Sequence, residues 1–203
     1  MVAVGDSDLN IEGFRCWATG NLVDNRNRGI FAEWMVGQAL GVVDDGDIRV
    51  EWDAVDLRYG KFTVEVKASG YSQTWNPENP TKPVYSIPQQ KWAWDAAFGT
   101  SKQLDGRSRK HRRSGWWLEY DPPQRTADVY VFCLHESVPA TNDNVTDPGT
   151  WSFRILSTSA VDKELGSQKT VGLSRLDRLT TPVSWAGIKP AIDQIFAGSG
   201  AAK

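Results

Sequence analysis

Residues 49 to 69 read RVEWDAVDLRYGKFTVEVKAS, two runs with the period-2 alternation of strands on either side of Arg58-Tyr59-Gly60-Lys61. Alternate side chains of a strand share a face. On the second run Phe62, Val64, Val66 and Ala68 point one way, and Thr63, Glu65, Lys67 and Ser69 the other. On the first, Val50, Trp52 and Ala54 form an apolar face opposite Arg49, Glu51 and Asp53. Gly60 suits the left-handed position of a three-residue hairpin turn with a bulge. That turn pairs Leu57 with Lys61 and so sets Asp53 opposite Glu65, with the two carboxylates about 5 Å apart and Lys67 two residues along. Facing like charges are unfavourable unless a cation lies between them, and a divalent metal together with the Lys67 ammonium would supply it. Taken alone, E-x-K on a strand is also the pattern of a solvated charged face.

Working outward, residues 28 to 41, RGIFAEWMVGQALG, have the pattern of a helix over Arg28 to Leu40 that is apolar nearly all round and therefore buried. Glu33 lies near Ile30, Val36, Gly37 and Leu40 on it. A buried carboxylate costs several kcal/mol without a partner, on the order of magnitude known for such groups. Glu33 therefore needs a metal, a proton or a structural ion pair with an Arg or Lys.

Further along, Ala127 to His135 (ADVYVFCLH) reads as a buried strand and Trp151 to Leu156 as another. Pro88 to Ala97 is expected to open a helix on its early Pro. Asn76 to Pro83 and Pro139 to Thr150 are loops, and Ser184 or Pro190 starts a last amphipathic helix ending near Phe196. Residues 1 to 12 and 197 to 203 read as flexible ends. The order helix, strands, helix, strand, strand, helix points to an α/β or α+β sheet covered by helices. With 203 residues the chain suits a single domain.

Composition narrows the function classes. Hydrophobic residues make up 40% and charged residues 24%, the balance of a globular chain with a real core. No apolar run is long enough to span a membrane, and Met1 to Asn10, with Asp6 and Asp8, lacks a secretory signal. Cys16 and Cys133 alone make no disulfide framework, so a cytoplasmic chain is expected. These two with His111 and His135 show none of the usual zinc spacings. Neither GxSxG, P-loop, GxGxxG after a strand nor HExxH occurs.

Glu33 on a helix, then Asp53, then Glu65-Val66-Lys67 on a hairpin resemble the PD-(D/E)XK nuclease superfamily, over about residues 28 to 75. The resemblance implies a restriction-endonuclease-like α/β core, a central mixed β-sheet flanked by helices. It implies a nuclease that hydrolyses DNA phosphodiester bonds with Mg²⁺ or Mn²⁺. Asp53 and Glu65 would hold the metal with the Val66 backbone carbonyl, Lys67 would orient the attacking water, and Glu33 would anchor a second metal or a water. Asp56 competes with Asp53 for the family's Asp: the expected register favours Asp53, whereas a longer loop or a bulge would favour Asp56. Trp52, not Pro, precedes Asp53. Gln73 resembles the polar residue that often follows the motif. Relatives often pair to cut both strands, which leaves a homodimer open.

Net charge is -2, so affinity for DNA requires a local patch. Arg107, Arg109, Lys110, Arg112 and Arg113 form one, read as a loop, with Trp116 and Trp117 directly after it to stack on bases. Of the ten Trp, Trp34, Trp52, Trp92, Trp94, Trp151 and Trp185 read as core. His135 and Cys133 read as packing residues. The competing readings are a catalytically inactive nucleic-acid-binding module of the same fold and a Trp-rich carbohydrate-binding β-sandwich, the latter disfavoured by the long apolar helix.

Overall fold

The computed structural model describes residues 9–51, 54–76, 78–95, 109–112 and 115–200; of 93–95, 109–112, 115–119 and 199–200 it describes the backbone alone. Helices α1 (Ile11–Thr19) and α2 (Asn25–Leu40) precede strands β1 (Leu57–Tyr59), β2 (Phe62–Gly70), β3 (Val84–Ser86), β4 (Gln90–Asp95), β5 (Arg109–Arg112), β6 (Gly115–Gln124) and β7 (Val129–His135). Then come α3 (Asn142–Val145), β8 (Trp151–Ser157), α4 (Thr158–Leu165), β9 (Thr170–Gly172), α5 (Leu173–Leu179) and α6 (Ile188–Gly200).

The central sheet has the order β1-β2-β7-β8. It is mixed: β2 runs antiparallel to β1 and parallel to β7, and β8 runs antiparallel to β7. Every residue of β7 is buried because it lies inside the sheet with both faces covered. Val129, Val131 and Cys133 pack with Val64 and Val66 beneath α2 and α6. Tyr130 and Phe132 pack on the other side with Val161 and Leu165 of α4, Leu176 of α5, Tyr85 of β3 and Val171 of β9. α2 starts where the Asp24 carboxylate accepts the Arg26 amide at 2.9 Å, and stops where Gly41 turns left-handed at φ 67°. The chain is thus a mixed α/β structure, a central mixed sheet flanked by helices, which removes the all-β sandwich reading. Among the described residues no helix is long and apolar enough to cross a membrane.

Several expectations change. The first strand of the hairpin is only Leu57–Tyr59 and not Arg49 to Leu57, because Tyr59 pairs with Phe62 across a two-residue turn with Gly60 at φ 60°. Leu57 therefore lies opposite Val64, not Lys61. The stretch expected to open a helix at Pro88 is instead strand β4, paired antiparallel with β6 through Trp92↔Glu119 and Trp94↔Trp117. Aromatic residues two apart suit a pleated surface. The basic run is not wholly a loop, since Arg109 to Arg112 pair with β6. Within the stretches expected to be flexible, Ile11 and Glu12 belong to α1, which is capped by the Asn10 side chain on the Gly13 amide, and residues 197 to 200 belong to α6; the remaining residues of both ends, apart from Leu9 and Asn10, lie outside the described residues. Helices α4 and α5 were not read from the sequence. Trp151 is buried and Trp185 half-buried, but Trp34 is 43% exposed and is not core. Trp52 lies outside the described residues, as does the Trp94 side chain.

His135, at the end of β7, is packed against Trp151 with ring centroids 5.1 Å apart, and among the described residues neither ring nitrogen has a hydrogen-bond partner. Burial pushes its pKa below the ordinary 6.5; Asn144 opposes the shift and the Arg28 charge adds to it. The folded state then binds fewer protons than the unfolded state. The stability His135 allows is complete above pH 6.5 and is lost as the pH falls through the depressed folded value. Glu33 and Glu65, raised above their ordinary 4.5, act in the opposite sense. Urea titrations of wild type and His135→Phe between pH 7.5 and 5 are expected to show a shallower acid loss of stability for the variant. An unchanged pH slope would remove His135 as the acid-sensitive group.

Candidate active site

Strand β2 places Glu65 and Lys67 two residues apart on one face, level with Tyr130 and Phe132 of β7. The Lys67 ammonium donates to a Glu65 carboxylate oxygen. Both side chains are largely withdrawn from solvent, with 27% of Lys67 and 17% of Glu65 exposed. β1 covers only the first part of β2, so the chain before Leu57 is free to bring a side chain to the β2 edge. Asp56 does this, and its Oδ2 accepts the Val66 amide at 2.7 Å. Within a strand the N–H and C=O of one residue point to the same edge, so the Val66 carbonyl faces the edge that Asp56 occupies.

The observed register bears on Asp56. Extending Leu57↔Val64 by one residue sets Asp56 level with Glu65. The position assigned to Asp53 by the three-residue turn therefore belongs to Asp56. Asp53 itself lies outside the described residues.

Glu33 comes from the middle of α2 and is 9% exposed. Its partner is Arg49: Nε donates to both carboxylate oxygens at 2.9 Å, and Nη2 donates to Oε2 at 2.6 Å. This is the structural ion pair that burial demanded. Pairing of this bidentate kind offsets the desolvation of the carboxylate. Arg49 was not singled out from the sequence. The signal was indirect, since a buried acid required a cation but the chain has 23 Lys and Arg to choose from.

These side chains form one electrostatic cluster. Burial pushes the Glu33 carboxyl above the ordinary carboxylate range; Arg49 and Lys67 oppose that, and the Asp56 charge adds to it. Burial likewise pushes Glu65 up, reinforced by the Asp56 charge and opposed by Lys67. At Lys67 burial disfavours the ammonium, but the charges of Glu65, Asp56 and Glu33 outweigh it and hold its pKa above the ordinary value. Glu33 and Lys67 therefore act on one another although they stem from different layers. α2 lies over the face carrying Val64 and Val66, and the Glu33 charge is felt at Lys67 after those of Glu65 and Asp56.

Gln73 is elsewhere occupied. It is buried, its Nε2 donates to the Gly70 carbonyl at 3.0 Å, and its Oε1 accepts from Arg28 at 3.4 Å. These bonds close the turn after β2, and among the described residues Gln73 makes no hydrogen bond to Glu33, Arg49, Asp56, Glu65 or Lys67. Arg109, Lys110 and Arg112 lie on β5 and Trp116 on β6, where the backbone alone is described; Arg107 and Arg113 lie outside the described residues.

The chain matches no family model, no curated protein and no solved structure.

Among the described residues no group of three or more His, Cys, Asp and Glu comes together to hold a metal ion. The donor set at the β2 edge is smaller: the Asp56 and Glu65 carboxylates and a backbone carbonyl. That suits Mg²⁺, which takes oxygen ligands, commonly one or two carboxylates, and fills its octahedron with water and substrate phosphate. Burial raises Glu65 most and the Asp56 charge adds to it, and a cation beside the two carboxylates would relieve that second part.

Proposed function

We propose that the chain is a Mg²⁺- or Mn²⁺-dependent nuclease of the PD-(D/E)XK type, with a restriction-endonuclease-like core, that hydrolyses DNA phosphodiester bonds. The observation that carries this reading is the placement of Asp56 beside Glu65 and Val66 at the open edge of β2, with Lys67 on the same face. Asp56, Glu65 and the Val66 carbonyl would hold the metal. Bound there, it would lower the pKa of a water and neutralise charge on the phosphate oxygens. Lys67 orients the attacking water with its ammonium and stabilises the charge that develops as the water oxygen bonds to phosphorus and the ester oxygen departs. Glu65 and then Asp56 hold the Lys67 ammonium protonated against its burial, and Glu33, locked by Arg49, adds a smaller negative charge in the same sense. Arg109, Lys110, Arg112 and Trp116, with Arg107 and Arg113, are the proposed grip on the DNA backbone and bases.

One observation favours the inactive nucleic-acid-binding reading. Glu33 and Glu65 already have internal cations, Arg49 and Lys67, so most of the cluster is balanced without a metal. A cleavage panel of plasmid, linear, single-stranded and branched DNA with Mg²⁺ and Mn²⁺, run beside Glu65→Ala, tests both. The nuclease reading expects metal-dependent cutting in wild type and its loss in the variant. DNA binding without cutting, and no heat on Mg²⁺ titration, would select the inactive module.

A further inference from the structure

A cavity of about 550 Å³ opens between α2 and residues 42–50, beside the charged cluster. Phe31, Trp34, Val43, Ile48 and Val50 line it, and Glu33, Arg49 and Asp56 complete its wall. Its volume lies in the range of sites that take a small aromatic ligand. Three of its apolar side chains are strongly exposed: Trp34 at 43%, Val50 at 62% and Ile48 at 91%. On a helix whose neighbouring Ala32, Met35 and Val36 are buried, an open indole is the exception. Trp34 has Phe31 beside it, with ring centroids 5.6 Å apart, so an aromatic wall stands over the cavity.

We propose that this cavity is a nucleobase pocket that holds an unpaired base next to the phosphate being cut. The inference rests on the nuclease reading for its phosphate position. Glu33, Arg49 and Asp56 belong both to the cavity wall and to the charged cluster, so a nucleotide whose phosphate meets that cluster has its own base within reach of Trp34. Bases inside a duplex are stacked on one another and cannot enter a side pocket without being turned out. The favoured substrate is therefore DNA with an unpaired nucleotide at the cut: a single strand, a gap or a flap. The wall is apolar and aromatic with a guanidinium at one side, which suits stacking of any base more than recognition of one sequence.

The test uses the full chain and single-stranded oligodeoxynucleotides with 2-aminopurine at one interior position, scanned along the strand, in Ca²⁺ in place of Mg²⁺. Wild type is expected to quench the probe at one position of the scan, as an indole stacked on the base would. Trp34→Ala is expected to lose the quench and raise Kd roughly 5- to 150-fold, the span of one lost base stack. Trp34→Phe is expected to restore part of the affinity. An oligonucleotide with an abasic nucleotide at that position is expected to bind wild type and Trp34→Ala alike. Ile48→Ser, on the most exposed lining residue, is a second variant that weakens binding without touching the core. Quenching and affinity indifferent to both variants, or wild type binding the abasic strand as tightly as the intact one, would overturn the pocket. The cleavage panel separates the two readings: cutting without the quench leaves the nuclease and removes the pocket, and the quench without cutting removes the nuclease and overturns the pocket's place beside a cut phosphate, leaving only a base-binding surface.

Discussion

Lys67→Ala is expected to lower metal-dependent DNA cleavage by about 10²- to 10³-fold, the cost of removing one preorganised charge from a transition state. The same change removes the partner of Glu65, which is 17% exposed and faces Asp56. Losing one member of a withdrawn ion pair costs up to about 3–5 kcal/mol, because the remaining charge keeps its desolvation penalty. Lower activity could then reflect unfolding, and the metal distinguishes the two. Without the ammonium, the Asp56 and Glu65 carboxylates repel each other more strongly, so a divalent cation gains more by binding them. Lys67→Ala is therefore expected to melt below wild type in EDTA and to recover more stability than wild type on adding Mg²⁺. A variant that is folded and metal-bound in Mg²⁺ yet slow to cut places Lys67 in the chemistry. A variant that cuts as fast as wild type would eliminate the mechanism, and one that stays unstable in saturating Mg²⁺ would make Lys67 a structural partner of Glu65.

The second large effect is expected at Asp56. Asp56→Asn keeps an oxygen to accept the Val66 amide, so the β2 edge retains its support. What it loses is the negative charge opposite Glu65. The expected result is at least about a 100-fold loss of cleavage, with a weaker heat of Mg²⁺ binding, since a charged oxygen ligand has been replaced by a neutral one. Asp53→Asn is expected to have a much smaller effect, because the two-residue turn sets Asp56 level with Glu65. The paired comparison checks the register in solution. Should Asp53→Asn be the inactive variant and Asp56→Asn the active one, the metal ligands would have to be reassigned and the extension of the ladder beyond Leu57 abandoned.

Much of the scaffold was legible because it depends on local periodicity. The alternation of Phe62 to Ser69 is that of a strand with one face on the core, and the unbroken apolar run of β7 is that of a strand covered on both sides. The apolar α2 requires burial, and a buried Glu33 requires a cation; both requirements are met. Element type failed where two periods compete. Trp92 and Trp94, behind Pro88, suit a helix start or a strand, and only the pairing with β6 resolves them.

The residue chemistry at the proposed site, Glu65 and Lys67 on one strand face and a lone acid on an apolar helix, follows from the chain alone, since alternation and helical periodicity are properties of the backbone. That Asp56 accepts the Val66 amide, which of many cations clamps Glu33, and that Trp34 lines a cavity were decided only in three dimensions. A left-handed Gly60 serves a two- or a three-residue turn equally well, and the difference shifts every cross-strand pair. Arg49 reaches Glu33 through a loop whose path no local rule specifies. An all-round apolar helix does not declare which of its sides the rest of the chain leaves uncovered.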